Sequence, residues 1–204
     1  MMKEQKSKKR IVIIVGIVVA ILIIPGILLI GLLSALFIPE KEKITQPEQY
    51  EAYLGESGKY KENYVGYNDI FPDSLERVSE VEDFVYYYYN PFDANYFGYL
   101  VCEYSQEEFD EEIARLNSLK SESYKGVYGI EEFPYELCAV YADETYGVIY
   151  ALVDKEEHEI IYVSLEFCNY FTDIDYKEMM DEKYLPSGFD AMPGNDTRKA
   201  FDGR

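Results

Sequence analysis

The chain has no tryptophan, one histidine and three cysteines among 204 residues. Each scarcity excludes a chemistry. A structural zinc site needs about four Cys, His or acidic ligands in tight spacing, and His158 with the scattered Cys102, Cys138 and Cys168 does not supply them. A Cys–His nucleophile pair would draw on the same few residues. His158 instead sits in the charged run Asp154-Lys155-Glu156-Glu157-His158-Glu159, which reads as a solvated hairpin connection. Asp173 and Asp175 resemble half of a calcium loop, but the glycine and the distal glutamate that such a loop requires do not follow. The sequence therefore assigns no catalytic, cofactor-binding or metal-ligating residue, and no cofactor is expected.

Charge is absent where it matters most. Residues 11–38, opening at Ile11 and closing at Ile38, carry no charged side chain. At ~1.5 Å per helical residue such a run reaches roughly 42 Å, more than the ~30 Å of hydrocarbon in a bilayer. Lys3, Lys6, Lys8, Lys9 and Arg10 precede it, and basic residues mark the cytoplasmic flank. The expectation is a single-pass signal anchor in the cell membrane, with residues 1–10 cytoplasmic, 11–38 transmembrane and the rest extracytoplasmic. A cleaved signal peptide is the rival reading, yet its apolar core spans only ~7–15 residues. Gly16 with Ala20, and Gly31 with Ala35, have the small-residue spacing that permits self-association through the span.

Beyond the span the balance reverses. The formal net charge of the chain is −20, and because the first ten residues are basic the outer part is more acidic still. So acidic a domain repels phosphate backbones and anionic headgroups. Nucleic-acid binding is excluded, the domain is expected to stand clear of the lipid, and the partners left are an envelope protein or a cationic ligand. Tyrosine is the other outlier, with 22 residues, beside 11 phenylalanines. Tyr suits strands and offers apolar area with a polar tip. The three cysteines fall in strand-like segments without CxxC spacing and read as small buried hydrophobes; the spacing leaves one disulfide plus a free thiol as the alternative.

The outer part divides into a spacer over 39–67, a folded domain over 68–185 and a flexible tail over 186–204. Aromatic and β-branched runs predict strands over 84–89, 96–104, 135–141, 147–153 and 159–170. Ser105-Gln106-Glu107-Glu108 is a capping box, and Phe109, Ile113 and Leu116 continue at helical spacing, predicting a helix to about residue 119. The acids at 107, 108, 110, 111 and 112 are assigned to the helix dipole and to solvation. In the last strand Ile161, Val163 and Leu165 share one face, taken as the one that meets the helix, and Tyr162, Ser164 and Glu166 the other, taken as wetter. The order β-β-α-β-β-β predicts an α+β fold, an antiparallel sheet with one helix on a face. Short helices are expected near 48–54 and over 176–184, and Asn195-Asp196-Thr197 matches a glycosylation acceptor.

These features point to a membrane-anchored protein that presents a small acidic, Tyr-rich binding or interaction module outside the membrane, and to a binding role over catalysis. The alternative is an extracytoplasmic hydrolase that acts on envelope polymer with two of the many carboxylates. A third class, an assembly subunit acting through the span, would want polar residues there, and Ser34 alone is present.

Overall fold

The computed structural model describes residues 21, 23–27, 29, 38–56, 58, 68–119, 121 and 123–204. The chain divides into two compact units, Met1–Pro39 and Glu40–Arg204. The span expected over 11–38 lies mostly outside the described residues, and the small-residue pairs within it lie wholly outside them. Its described positions up to Leu29 are helical, and Ile21, Ile23, Ile24, Ile27 and Leu29 are exposed. Among the described residues no helix is long and apolar enough to cross a membrane.

The second unit is α+β, built on one antiparallel sheet of six strands: β1 (Glu40–Ile44), β2 (Glu80–Asn90), β3 (Asn95–Glu103), β4 (Glu136–Asp143), β5 (Gly147–Asp154) and β6 (Glu159–Glu166), in the order β1-β2-β3-β6-β5-β4. Five follow from the aromatic and β-branched runs. The sixth, β1, corrects the expectation of a spacer there. Its sequence Glu-Lys-Glu-Lys-Ile alternates charge and buries only Ile44, so it carries no apolar rhythm. As an edge strand it needs none, since one face suffices for pairing and charge guards the open side. After β1 the chain forms a single helical turn, α1 (Tyr50–Tyr53). The principal helix, α2 (Gln106–Ser118), begins where the capping box placed it, with Ser105 Oγ accepting from Glu108 N at 3.4 Å.

Helix α2 carries the chain from β3 at the centre to β4 at the far edge. Its Phe109 and Leu116 are buried with Leu100, Cys102, Ile160 and Tyr162. This corrects the face assignment: Ile161, Val163 and Leu165 lie on the opposite side, packed with Tyr99, Val101, Tyr176 and Phe189. Both faces of the sheet are covered, so neither is wet. Tyr162 and Ser164 are fully buried and Glu166 is 3% exposed. Alternation misled because Tyr stands on both faces as a core residue. Seven tyrosines, Tyr50, Tyr86, Tyr99, Tyr128, Tyr150, Tyr162 and Tyr176, head the fully buried side chains. The hydroxyls of Tyr50, Tyr128, Tyr150 and Tyr162 donate to acceptors, as in Tyr50 to Pro72 O at 2.6 Å and Tyr150 to Tyr184 O at 3.1 Å, which offsets the usual penalty for burying a polar tip.

The second face is roofed by the loop before β4 and by the chain after β6. Gly129 and Gly188 hold the two together: both have positive φ, and a Cβ on either would stand 2.5 Å or less from the other's carbonyl oxygen. The residues expected as a flexible tail are packed. Phe189 and Ala191 are buried in this layer, and the last helix, α3 (Asp196–Asp202), is capped by Asn195, whose Oδ1 accepts from Arg198 N at 2.8 Å. The Phe201 ring stacks on Tyr170 with centroids 3.9 Å apart. Asn195 is 3% exposed and donates to Tyr170 O and Met192 O, so the glycosylation pattern falls on an amide already used inside the fold. Around residues 176–184 the expected helix is two 3-10 turns, Tyr176–Glu178 and Glu182–Tyr184.

Candidate functional site

One acid of the α2 cluster behaves unlike the rest. Glu112 lies three residues after Phe109 and four before Leu116, on the stripe that faces the sheet, and is 6% exposed. This corrects its assignment to solvent. Its carboxylate accepts from Arg115 Nε at 2.7 Å and Nη2 at 2.5 Å, and from the Tyr162 hydroxyl at 2.7 Å. Since Tyr162 spends its proton on Glu112, the 2.9 Å contact between the Tyr104 and Tyr162 hydroxyls has Tyr104 as the donor. Arg115 also donates to the backbone carbonyls of Asp69 and Ile70, so the helix is tied to the segment that precedes β2.

The titration behaviour of these groups follows from burial. Burial would lower the Arg115 guanidinium, but the hydrogen bonds to Glu112, its charge and the nearby Tyr162 and Tyr104 together outweigh it and hold the group above its ordinary value. Burial pushes the Tyr104 and Tyr162 hydroxyls and the Cys102 thiol far up, so all three stay neutral at physiological pH. The chain Arg115, Glu112, Tyr162, Tyr104 thus crosses from the surface to the core with one fixed charge pair and two neutral donors.

Above this network lies a groove of about 190 Å³ between α2 and residues 72–78, lined by Asp73, Arg77, Tyr104, Glu108, Glu112 and Arg115 among others. Arg77 closes one side by binding Glu108 through Nε and Glu111 through Nη2. A neighbouring hollow of about 370 Å³, bounded by Glu56, Asp69, Asp73, Arg115 and Leu119, shares two of these residues. Pockets for small organic ligands usually measure about 300–1,000 Å³ and are mostly apolar. The first is smaller, the second is lined mainly by carboxylates, and the cations of both are already committed to acids and carbonyls. Ser74 also lines the groove, its hydroxyl accepting from Glu76 N, and neither His nor Cys is among the lining residues. The groove's chemistry is that of a latch between helix and sheet.

The other concentration of charge is at one end of the sheet. Glu80 of β2 stands opposite Glu103 of β3, Glu103 opposite Glu159 of β6, and Glu159 opposite Asp154 of β5. Like charges directly opposed are destabilising, so this row opposes folding. Ligand atoms of Glu80, Glu82 and Glu103 lie within 4.8 Å of one another, all exposed. Partial burial, then repulsion from Glu82 and Asp154, raises the Glu159 carboxyl above its ordinary value, with Lys183 acting the other way. Sequence reading missed the row because its members come from four strands; only the register brings them together.

The remaining candidates stay apart. Cys102 and Cys138 are buried, Cys168 is partly exposed, and all three are free thiols; burial, then the Glu136 charge, lifts the Cys138 thiol to about 11. His158 occupies its expected turn, at φ 55°, with its ring 5.1 Å from that of Phe109. Comparison with family models, with curated proteins and with solved structures finds no match to the chain.

Proposed function

We propose that the protein is a single-span membrane protein that presents its second unit outside the membrane as a binding module for a cationic partner. The observation that carries this reading is the acidic row across β2, β3, β6 and β5, whose mutual repulsion is relieved when a ligand of opposite charge settles on it. The anchored half of the reading rests on the uncharged run over 11–38 and its basic flank. A folded unit with its own two-sided core, carrying most of its acids on the surface, is the kind of domain an anchor displays.

The test is a titration of the detergent-solubilised full chain with a lysine-rich peptide, read by anisotropy of a dye on the peptide. Binding is expected to weaken several-fold between low salt and ~0.15 M salt, where the screening length is ~8 Å. It should also weaken several-fold when Glu80 and Glu103 are both changed to Gln. Binding that ignores both manipulations, or no binding at low salt, removes the cationic partner from the reading.

A further inference from the structure

The end of the sheet opposite the acidic row carries acids too, Glu40 and Asp93 among them, but sets them beside aromatic and basic side chains. Strand β1 starts at Glu40, two residues past the last position of the uncharged run, and Glu40 pairs with Asn90 at the end of β2. The turn that follows Asn90 therefore lies at the end where the chain enters the sheet. At that turn stands Phe92, 82% exposed, the most exposed large apolar side chain among the described residues. Beside it, on one face of the β1–β2 pair, Lys41 lies opposite Tyr89 and Lys43 opposite Tyr87. The two tyrosines are half-buried and stack with ring centroids 6.4 Å apart. Both lysines are exposed, and Lys43 Nζ approaches the Met179 thioether at 3.5 Å. A phenyl ring at a turn, two tyrosines and two lysines are the residue types that settle at a membrane interface: the apolar ring below the headgroups, the phenols among them, the ammonium groups on the phosphates.

From this arrangement we infer that the Phe92 turn, with Tyr87, Tyr89, Lys41 and Lys43, rests on the outer surface of the bilayer and seats the sheet upright on it. The inference builds on the anchored reading, because the short run from the end of the uncharged segment to Glu40 is what holds this end near lipid. The acidic row lies at the other end of β2, roughly 30 Å along the strand at ~3.3 Å per residue. That distance exceeds the ~8 Å screening length at physiological salt. Acids stand at this end as well, Glu40 at the start of β1, Asp93 beside Phe92 and Glu144 in the β4–β5 turn, but the directly opposed row lies at the far end, and its repulsion from anionic headgroups turns that end outward.

The absence of tryptophan makes the test direct, since any introduced indole is the sole one in the chain. Full-length Phe92→Trp, Glu157→Trp and Ile24→Trp are reconstituted in vesicles of phosphatidylcholine and phosphatidylglycerol, with and without brominated acyl chains. All three sites are exposed, so folding is not at stake. Ile24→Trp reports on the anchor. Phe92→Trp is expected to lose about half of its emission or more to the bromolipid, as an interfacial ring does, while Glu157→Trp at the acidic end keeps its emission. Phe92→Trp as unquenched as Glu157→Trp, with Ile24→Trp quenched, overturns the seating and leaves the anchor standing. Ile24→Trp unquenched overturns the anchored reading itself. Quenching of both Phe92→Trp and Glu157→Trp also overturns the seating, since it would mean a domain lying flat.

Discussion

Replacing Glu112 with alanine is expected to destabilise the protein by about 3 kcal/mol. Breaking a buried ion pair by removing one partner costs about 3–5 kcal/mol, because the surviving charge is left without compensation. The Arg115 side chain is 35% exposed, so part of its guanidinium recovers water, which places the result at the lower end. The same substitution removes the acceptor of the Tyr162 hydroxyl, itself fully buried. Tyr162→Phe alone should cost about 1–2 kcal/mol, the range for one buried hydrogen bond to a charged group. Glu111→Ala is the control: its bond to Arg77 joins side chains 60% and 50% exposed, and exposed pairs contribute about 0–1 kcal/mol. Denaturant midpoints of the three variants check the ranking. Equal effects for positions 111 and 112 would show that the latch contributes nothing.

The second large effect is expected at Leu116, which is fully buried against the sheet. Leu116→Ala should cost about 2–5 kcal/mol, depending on how far the cavity collapses, whereas Asn117→Ala, on the exposed side of the same helix, should stay within about 0.5 kcal/mol. A double-mutant cycle separates the two faces. Leu116 and Leu100 share one core cluster, while Val163 belongs to the other. Leu116→Ala should therefore be non-additive with Leu100→Ala and additive, within about 0.5 kcal/mol, with Val163→Ala. Coupling to Val163 in place of Leu100 would put the helix on the wrong side of the sheet.

How legible this fold is in the sequence depends on which residues carry the signal. Strands β2 to β6 are rich in Tyr, Phe, Val and Ile, and the start of α2 is written in Ser105 and Glu108, so these elements can be read locally. Strand β1 cannot, because four of its five residues are charged and its pairing with β2 is a long-range fact. The packed C-terminal residues are equally silent: Phe189 and Ala191 are separated by Asp190 and show no rhythm, and their burial depends on a face of the sheet that covers itself with irregular chain. The assignment of α2 to the Ile161 face fails for a physical reason. Where both faces are buried, alternation of Ile with Tyr distinguishes side-chain size and not solvent exposure, and Tyr162 turns out to be the residue beneath the helix.

The charged features were half legible. That five acids open α2 is plain in the sequence, and the helix dipole accounts for those that face water. Glu112 could have been set apart by its spacing from Phe109 and Leu116, since a carboxylate on the apolar stripe requires a partner, and Arg115 is one turn away. The acidic row had no such signal. Glu80, Glu103, Glu159 and Asp154 are ordinary strand ends until the register aligns them. The inverse holds for the Phe92 turn, where turn residues after a tyrosine run predict a hairpin but not that its tip shares an end of the sheet with residue 40.

The proposed topology sets residues 11–38 in the membrane and the folded unit outside it. Epitope tags placed before Met1 and after Arg204 test it on the full-length protein in cells. Antibody is expected to reach the C-terminal tag on intact cells or wall-stripped protoplasts, and the N-terminal tag only after the membrane is opened. A C-terminal tag that stays shielded until the membrane is opened, or an N-terminal tag open from outside, would contradict it.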